Sequence, residues 1–215
     1  MPEKDIVLRK VEEARIKYSD VLHFRNLYSM IHEYLIDENW YGPDGGRDLK
    51  QDHPNPAHRD IETYYMERTT QKGVHRGGKQ YWIWWRLYKG PLYRYTGYFK
   101  FKLEIDFHGE YFQKVDIMHM GKKITADKGE LEIHIRGTIV KTDLAKKWPE
   151  HWLLKHFYHA YEKRIISQDL DKAEKELWRE CYRLQGVIKS YLNLRNFIPV
   201  PEPFQPVQYG TEELQ

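Results

Sequence analysis

The chain has 215 residues, and its 35 Lys and Arg side chains nearly balance 32 Asp and Glu, which leaves a formal net charge of +3. Its 7 Trp, 17 Tyr and 8 Phe residues supply enough apolar surface to offset the entropy lost on folding, which excludes an intrinsically disordered chain. A chain of this length is expected to form a single domain, here over residues 1–195.

Cysteine usage and hydropathy indicate the compartment. Cys181 is the only cysteine, so an internal disulfide and a multi-thiolate zinc or iron-sulfur site are both excluded, which favours a reducing environment. The first 20 residues lack the continuous apolar stretch of a signal peptide. The longest apolar run, residues 81–85, is far shorter than the ~20 residues of a membrane helix. We therefore expect a soluble cytoplasmic protein with no membrane partner.

The N-terminal third is predicted to contain one clear helix. Residues 4–17 combine helical and strand spacing, so their structure stays open at this point. Over residues 20–38 apolar side chains recur at intervals of three and four, which predicts an amphipathic helix. The glycines and proline that follow favour turns and predict a polar loop over residues 42–59.

The middle of the chain is predicted to be an antiparallel sheet. Between residues 61 and 143 apolar and polar side chains alternate with a period of two, in segments that are separated by glycines. Turn signals at Gly109 and Gly129 set two of the boundaries. The five predicted strands cover residues 61–69, 79–89, 93–108, 111–120 and 130–142.

The C-terminal part returns to a helical period. A first helix is predicted to begin near Pro149. It has one apolar stripe, formed by Trp152, Leu153, Phe157 and Tyr161. A second helix begins at Ser167 or Asp169 and continues to Tyr191, and both helices are expected to cover the sheet. Prolines then exclude regular hydrogen bonding, so residues 196–215 are predicted to form a Pro-rich extended tail. The predicted fold class is therefore α+β: an N-terminal helix, a five-stranded largely antiparallel sheet, and two C-terminal helices packed on one sheet face.

Positive charge and aromatic rings coincide in residues 61–102, which hold 9 basic and 2 acidic side chains and 12 of the 32 aromatic residues. Pleat alternation places every second side chain of strand 79–89 on one face, beside the matching side chains of the next strand. Rings stack on unpaired bases and cations neutralise phosphates, so this pattern predicts an interface for single-stranded nucleic acid. The predicted nucleic-acid-binding residues are Trp82, Trp84, Arg86, Tyr88, Arg94, Tyr98, Lys100 and Lys102.

Three alternatives to this interface stay open. In the first alternative, the strand over residues 79–89 is buried on both faces, and its tryptophans are packing residues. In the second, a strongly bent sheet encloses a small apolar ligand, and the pocket is lined by Met118, Met120, Trp84 and Tyr98. In the third, the chain is a structural or interaction subunit that binds another protein through its tail, by way of Val200, Phe204, Val207 and Tyr209.

Histidines and carboxylates occur in three groupings that bear on chemistry. A proline-rich loop carries Asp52, His53, His58 and Asp60, which include metal-ligand types. The wet face of the sheet carries Glu104, Asp106, His108, Glu132 and His134. One helix carries His156, His159 and Glu162 without the spacing of a zinc hydrolase. Solvated loops and faces account for all three, and dinucleotide, phosphate-loop and hydrolase motifs are missing from the sequence. We therefore expect a non-enzymatic binding protein without a metal or cofactor, and a hydrolytic or metal enzyme on the face of Glu104, Asp106 and His108 is a further alternative.

Three segments, at residues 27–35, 128–133 and 185–192, resemble a group of small uncharacterised archaeal proteins. The resemblance covers residues 19–194. It implies the same order of elements, with a leading helix, an antiparallel sheet and a helical C-terminus. The group has no established activity, so the resemblance transfers no functional residue.

Overall fold

A computed structural model of the chain describes residues 5–43, 61–70, 77–91, 97–119, 121–152 and 154–194. Those ranges contain six β-strands and four α-helices. The strands are β1 (Val7–Lys10), β2 (Ala14–Leu22), β3 (Glu62–Thr70), β4 (Gly78–Lys89), β5 (Phe99–His119) and β6 (Lys122–Lys141). The helices are α1 (Phe24–Asp37), α2 (Asp143–Lys146), α3 (Leu154–Ala160) and α4 (Ser167–Tyr191). A 3-10 helix (Trp148–Glu150) precedes α3, and a π-helix (Tyr161–Ile166) joins α3 to α4.

The strands form one antiparallel sheet with the order β1–β6–β5–β4–β3, and β2 also pairs with β6. β1 and β2 follow one another along the same edge of β6, so the N-terminal segment of ambiguous period forms one border of the sheet. The predicted α+β class and the antiparallel sheet are confirmed. The described strands number six rather than five, because this segment contributes two strands and the strands predicted at residues 93–108 and 111–120 are both part of β5.

α1 and α4 lie on the same face of the sheet and enclose the hydrophobic core with it. The alternation along β4 supplies part of this core, since Ile83, Trp85 and Leu87 are fully buried. The indole Nε1 of Trp85 donates to the hydroxyl of Tyr28 at 3.1 Å, and its ring meets the Phe107 ring edge-on at a centroid distance of 5.0 Å. Burying one large apolar side chain stabilises a fold by about 1.5–3 kcal/mol. The period-two pattern therefore determines which face the helices cover.

Both long helices end with an asparagine in the left-handed conformation. After α1, Asn39 has a φ of 61°, and the N–H of Trp40 donates to the carbonyl of Leu35 at 2.9 Å. After α4, Asn193 has a φ of 53° and closes the helix in the same way. This arrangement satisfies carbonyls that the end of a helix leaves without intrahelical partners. Trp40 and Leu35 are both buried, so the end of α1 is also sealed against the core.

β5 and β6 form one long hairpin, which the sequence analysis divided at two glycines. Gly109 and Gly129 lie inside these strands, and a Cβ atom at either position would come within 2.8 Å of the Phe112 ring. That ring packs against the Tyr81 ring at a centroid distance of 5.3 Å. A bulge beside it leaves Tyr111 with a φ of 58°. The predicted breaks are wrong, because the missing side chains make room for an aromatic ring and not for turns.

Other boundaries agree more closely with the predictions. The strands predicted at residues 61–69 and 79–89 correspond to β3 and β4. α1 begins at Phe24 and not at residue 20, because residues 14–22 pair with β6. Most of the loop predicted over residues 42–59, and the whole tail at 196–215, lie outside the described residues. Among the described helices none has both the length and the apolar character that crossing a bilayer requires.

Of the two predicted C-terminal helices, only the second covers the sheet. α4 approaches β6 closely at Gly137, where a Cβ atom would lie 2.9 Å from the Sγ of Cys181. In the first helix, the predicted burial of Trp152 and Phe157 is wrong, since these side chains are 79% and 63% exposed. Tyr161 of the predicted stripe does pack against the core, and Leu153 lies outside the described residues. The apolar spacing indicated a helix there without defining the side that faces the sheet.

Candidate nucleic-acid interface

The face of the sheet opposite α1 and α4, here called the open face, carries the side chains that alternate with the core. On β4 they include Trp82 and Trp84, which are 37% and 41% exposed. Both indoles reach solvent although the intervening Ile83 and the following Trp85 are fully buried. β4 is therefore not buried on both faces, and the first alternative interpretation of its tryptophans is wrong.

Neighbouring strands extend the aromatic surface around these indoles. The hairpin register places Tyr64 opposite Trp84 and Met66 opposite Trp82. The rings of Tyr64 and Trp84 stack with a centroid distance of 4.5 Å and an interplanar angle of 28°. On the other side, Trp82 packs against His108 of β5 at a centroid distance of 3.8 Å. We call Tyr64, Trp82, Trp84 and His108 the ring strip.

Tyr64 and His108 are not among the interface residues that the sequence pattern predicts. Both reach the ring strip through the register of β4 with its two neighbours, and register joins residues that are far apart in the chain. The signal for Tyr64 was that the strands predicted at 61–69 and 79–89 follow one another in the chain, because consecutive strands usually pair. His108 was noted only as a titratable group.

Two of the predicted phosphate ligands already have carboxylate partners. Nη1 of Arg86 lies 2.6 Å from Oδ1 of Asp106. Nζ of Lys102 lies 2.9 Å from Oδ2 of Asp5 and 3.1 Å from Oε1 of Glu104. Burial alone would lower the pKa of Lys102, but hydrogen bonds to these two carboxylates outweigh burial and raise it. Lys102 thus remains charged, and carboxylates of the protein largely compensate the charge of both cations.

Two other cations on the open face have no carboxylate partner among the described residues. Nζ of Lys100 lies 4.2 Å from the centroid of the Tyr88 ring, an arrangement in which the ring face attracts the ammonium group. Arg68 is exposed near one end of β3. Burial raises the pKa of Tyr88 to about 12, so this ring stays neutral beside the lysine. Lys100 and Arg68 are the described cations best placed to meet an anionic ligand.

Tyr98 is a correction to the predicted interface. It precedes the first residue of β5 and follows Gly97, whose φ is 59°, so pleat alternation does not apply to it. Its side chain is only 1% exposed, and its ring packs edge-on against Trp148 at 5.1 Å. The hydroxyl donates to Glu162, and burial raises its pKa. Tyr98 therefore belongs to the interior, while Arg94 lies outside the described residues.

The acidic and basic side chains predicted on the wet face do come together, because β5 and β6 are neighbours. Their register pairs Asp106 with His134 and His108 with Glu132. Asp106 is held between Arg86 and Arg136, which keeps its carboxylate occupied. A carboxylate in this position orients two guanidinium groups. Asp106 and the two arginines therefore form a network of ion pairs that holds these side chains in place on the open face.

The two remaining predicted groupings are described only in part. The loop with Asp52, His53, His58 and Asp60 lies outside the described residues. His156 is exposed, whereas Glu162 points inward toward Tyr98. Within the described part of the chain no cluster of His, Cys, Asp and Glu side chains has the arrangement of a metal site.

The side chains predicted to line a ligand cavity lie in different surroundings. Met118 is 71% exposed near the tip of the β5–β6 hairpin, and Trp84 faces solvent on the open face. Tyr98 is enclosed at the opposite end of β5. The described members of this set therefore do not line a common cavity, and Met120 lies outside the described residues.

Comparison with known proteins gives no match: no family model, no curated protein and no solved structure shows significant similarity to the chain. The resemblance to small archaeal proteins stays a prediction. Function has to be inferred from the open face itself.

Proposed function

We propose that the protein binds single-stranded nucleic acid on the open face, with unpaired bases stacked on the ring strip. The observation that carries this proposal is the outward exposure of Trp82 and Trp84 within a row of rings that spans three strands. Base–aromatic stacking contributes about 1–3 kcal/mol for each base. Every base has a flat π-face, so this mode of binding tolerates many sequences.

The sequence on either side of β4 supports the same proposal. The connection from β3 to β4 contains Lys72, His75 and Arg76 and no acidic residue. The connection from β4 to β5 contains Arg94 and likewise no acidic residue. The chain that flanks the two tryptophans in sequence is therefore basic, as binding to a polyanion favours.

The paired state of Arg86 and Lys102 determines how salt should act on binding. A cation that already contacts a carboxylate adds little to counterion release when it meets a phosphate. We therefore expect the slope of log K against log salt to be shallow, about −1 to −3, at roughly −0.7 for each phosphate neutralised on a single strand. Stacking on rings supplies most of the binding free energy.

The test compares matched tryptophan variants in a binding assay with fluorescein-labelled oligothymidylate and oligouridylate. Trp82→Ala and Trp84→Ala should each weaken binding by roughly 5- to 150-fold, the equivalent of one lost stacking interaction. Trp178→Ala is the control, since Trp178 is similarly exposed at 41% but lies on α4. Absence of binding by the unmodified protein, or equal losses in all three variants, would overturn the proposal.

A cytoplasmic location belongs to the same proposal, since single-stranded RNA is abundant there. The buried free thiol of Cys181 is compatible with a reducing compartment. A protein partner for the tail at residues 196–215 is a separate prediction, which binding of oligonucleotide neither supports nor opposes.

A further inference from the structure

The segment between β6 and α4 contains four of the five most exposed large hydrophobic side chains among the described residues. Leu144 is 71% exposed, Trp152 79%, Phe157 63% and Ile165 60%. These values exceed the exposure of the tryptophans in the ring strip. Large apolar side chains at this level of exposure, close together in the sequence, are typical of a surface that meets another apolar phase.

Part of this segment is anchored to the rest of the protein. Tyr161 packs against the rings of Trp148 at 5.1 Å and Tyr98 at 5.8 Å. Glu162 accepts a hydrogen bond from Tyr98 and pairs with the ammonium group of Lys141. Phe157 and Ile165, four residues before and after Tyr161, remain 63% and 60% exposed beside this anchor.

The outward side of residues 154–166 carries charge of one sign. Lys155, His156, Lys163 and Arg164 are all exposed. Glu162, the only acidic residue in this range, is the one bound to Lys141 on the inward side. The exposed side chains of residues 154–166 are thus apolar and basic, while residues 142–152 expose Asp143 and Glu150 together with Lys147, so the surface of the whole segment is apolar with an excess of basic groups. A ligand that complements it must offer both apolar and anionic groups.

We propose that this segment docks on the surface of an anionic phospholipid bilayer. Trp152, Phe157 and Ile165 would lie at the boundary between headgroups and acyl chains, where aromatic and aliphatic side chains of interfacial helices insert. Lys163 and Arg164 would meet the lipid phosphates, since each basic residue close to an anionic surface adds to the affinity. This inference goes beyond nucleic-acid binding and departs from the expectation of no membrane partner.

Two other occupants fit the surface less well. A second copy of the chain would bring Lys163 and Arg164 of each copy toward the same basic surface, because a two-fold interface joins a patch to itself. Single-stranded nucleic acid offers flat rings and phosphates. Leu144 and Ile165 have no flat face on which a base could stack. Charge and shape together favour the lipid surface.

The test is flotation of the full-length protein with vesicles of phosphatidylcholine, with and without phosphatidylglycerol. We expect binding to the vesicles that contain phosphatidylglycerol, together with a blue shift of tryptophan emission. Trp152→Ser should weaken this binding about tenfold, as removal of one large apolar side chain predicts. Lys163→Gln with Arg164→Gln should weaken it by about 25-fold, at roughly fivefold for each charge.

Controls separate this inference from the proposed function. The substituted residues are exposed, so folding should be unchanged, and a circular dichroism spectrum verifies that. Trp178→Ser and Trp82→Ala should leave vesicle binding intact, and Trp152→Ser should leave oligonucleotide binding intact. The inference is overturned if neither type of vesicle binds, if Trp178→Ser weakens binding as much as Trp152→Ser, or if Trp152→Ser instead abolishes a concentration-dependent dimer.

Discussion

A buried ion pair between β4 and α4 makes the strongest prediction about stability. Nζ of Lys89 lies 2.8 Å from Oε1 of Glu180, and the two side chains are only 5% and 7% exposed. The same ammonium group lies 3.7 Å from Oε2 of Glu38 and 5.5 Å from the centroid of the Trp40 ring. Removing one member of the pair leaves the other charge inside the protein, where water cannot screen it.

We predict that Lys89→Met lowers the free energy of unfolding by about 3–5 kcal/mol at neutral pH, the usual cost of leaving one buried charge uncompensated. At roughly 2–4 °C for each kcal/mol in a chain of this size, Tm should fall by about 10 °C. Glu180→Leu should cost less, because Glu38 still faces the ammonium group. The double variant should recover most of the loss, since apolar side chains often replace a buried pair without net cost.

The cost of Lys89→Met should depend on pH. Burial already raises the pKa of Glu180 above its ordinary value of 4.5, and Lys89 opposes this shift. Without the lysine, the carboxyl group of Glu180 binds its proton more tightly in the folded protein than in the unfolded chain. The loss of free energy of unfolding caused by Lys89→Met is therefore largest above the raised pKa of Glu180 in the folded protein. It becomes smaller as the pH falls toward 4.5.

The assay is urea unfolding followed by far-ultraviolet circular dichroism at several pH values, with the slope against urea checked for constancy. Lys100→Met is the control, because Lys100 lies on the open face without a carboxylate partner among the described residues. It should change stability by less than about 1 kcal/mol. A cost below about 1 kcal/mol for Lys89→Met, or a double variant no more stable than Lys89→Met, would refute the reasoning.

Three further predictions concern packing, thiol chemistry and charge. Gly137→Val should lower the free energy of unfolding by about 1–3 kcal/mol in thermal melts, because its Cβ would lie 2.9 Å from the Sγ of Cys181. Burial raises the pKa of Cys181 to about 12, so a thiol reagent should react at the rate of unfolding and not faster. Asp106→Asn removes one carboxylate partner from Arg86 and Arg136, which keep Glu104 at 3.9 Å and 3.6 Å, so oligonucleotide binding should tighten and its salt slope should steepen by less than about one unit in a titration series.

Local periodicity accounts for what the sequence predicted correctly. β4 and α4 were recognised because each has a long apolar repeat of period 2 or 3.6, and one buried face enforces that repeat. Alternation along β4 also placed Trp82 and Trp84 opposite the core. The strand boundaries predicted at the glycines inside β5 and β6 are wrong because, in a single sequence, a glycine that forms a turn cannot be distinguished from a glycine that leaves room for a neighbouring ring.

The rest depended on contacts between residues that are distant in the chain. The pairing of Arg86 with Asp106, and of Lys102 with Asp5, requires knowledge of strand order and register, which no local pattern contains. The inward side of α3 likewise depends on Tyr98, which lies 63 residues before Tyr161 in the chain. Composition indicated a basic aromatic region, and only the fold showed that much of its charge is compensated.

The most direct test of the proposed interface is photochemical cross-linking of the full-length protein to 4-thiouridine-labelled oligouridylate, with the adducts located by mass spectrometry. We predict adducts at Tyr64, Trp82 and Trp84, and their loss on addition of unlabelled oligouridylate but not of duplex DNA. Adducts confined to the face covered by α1 and α4, or equal competition by duplex DNA, would contradict binding through stacked bases on the ring strip.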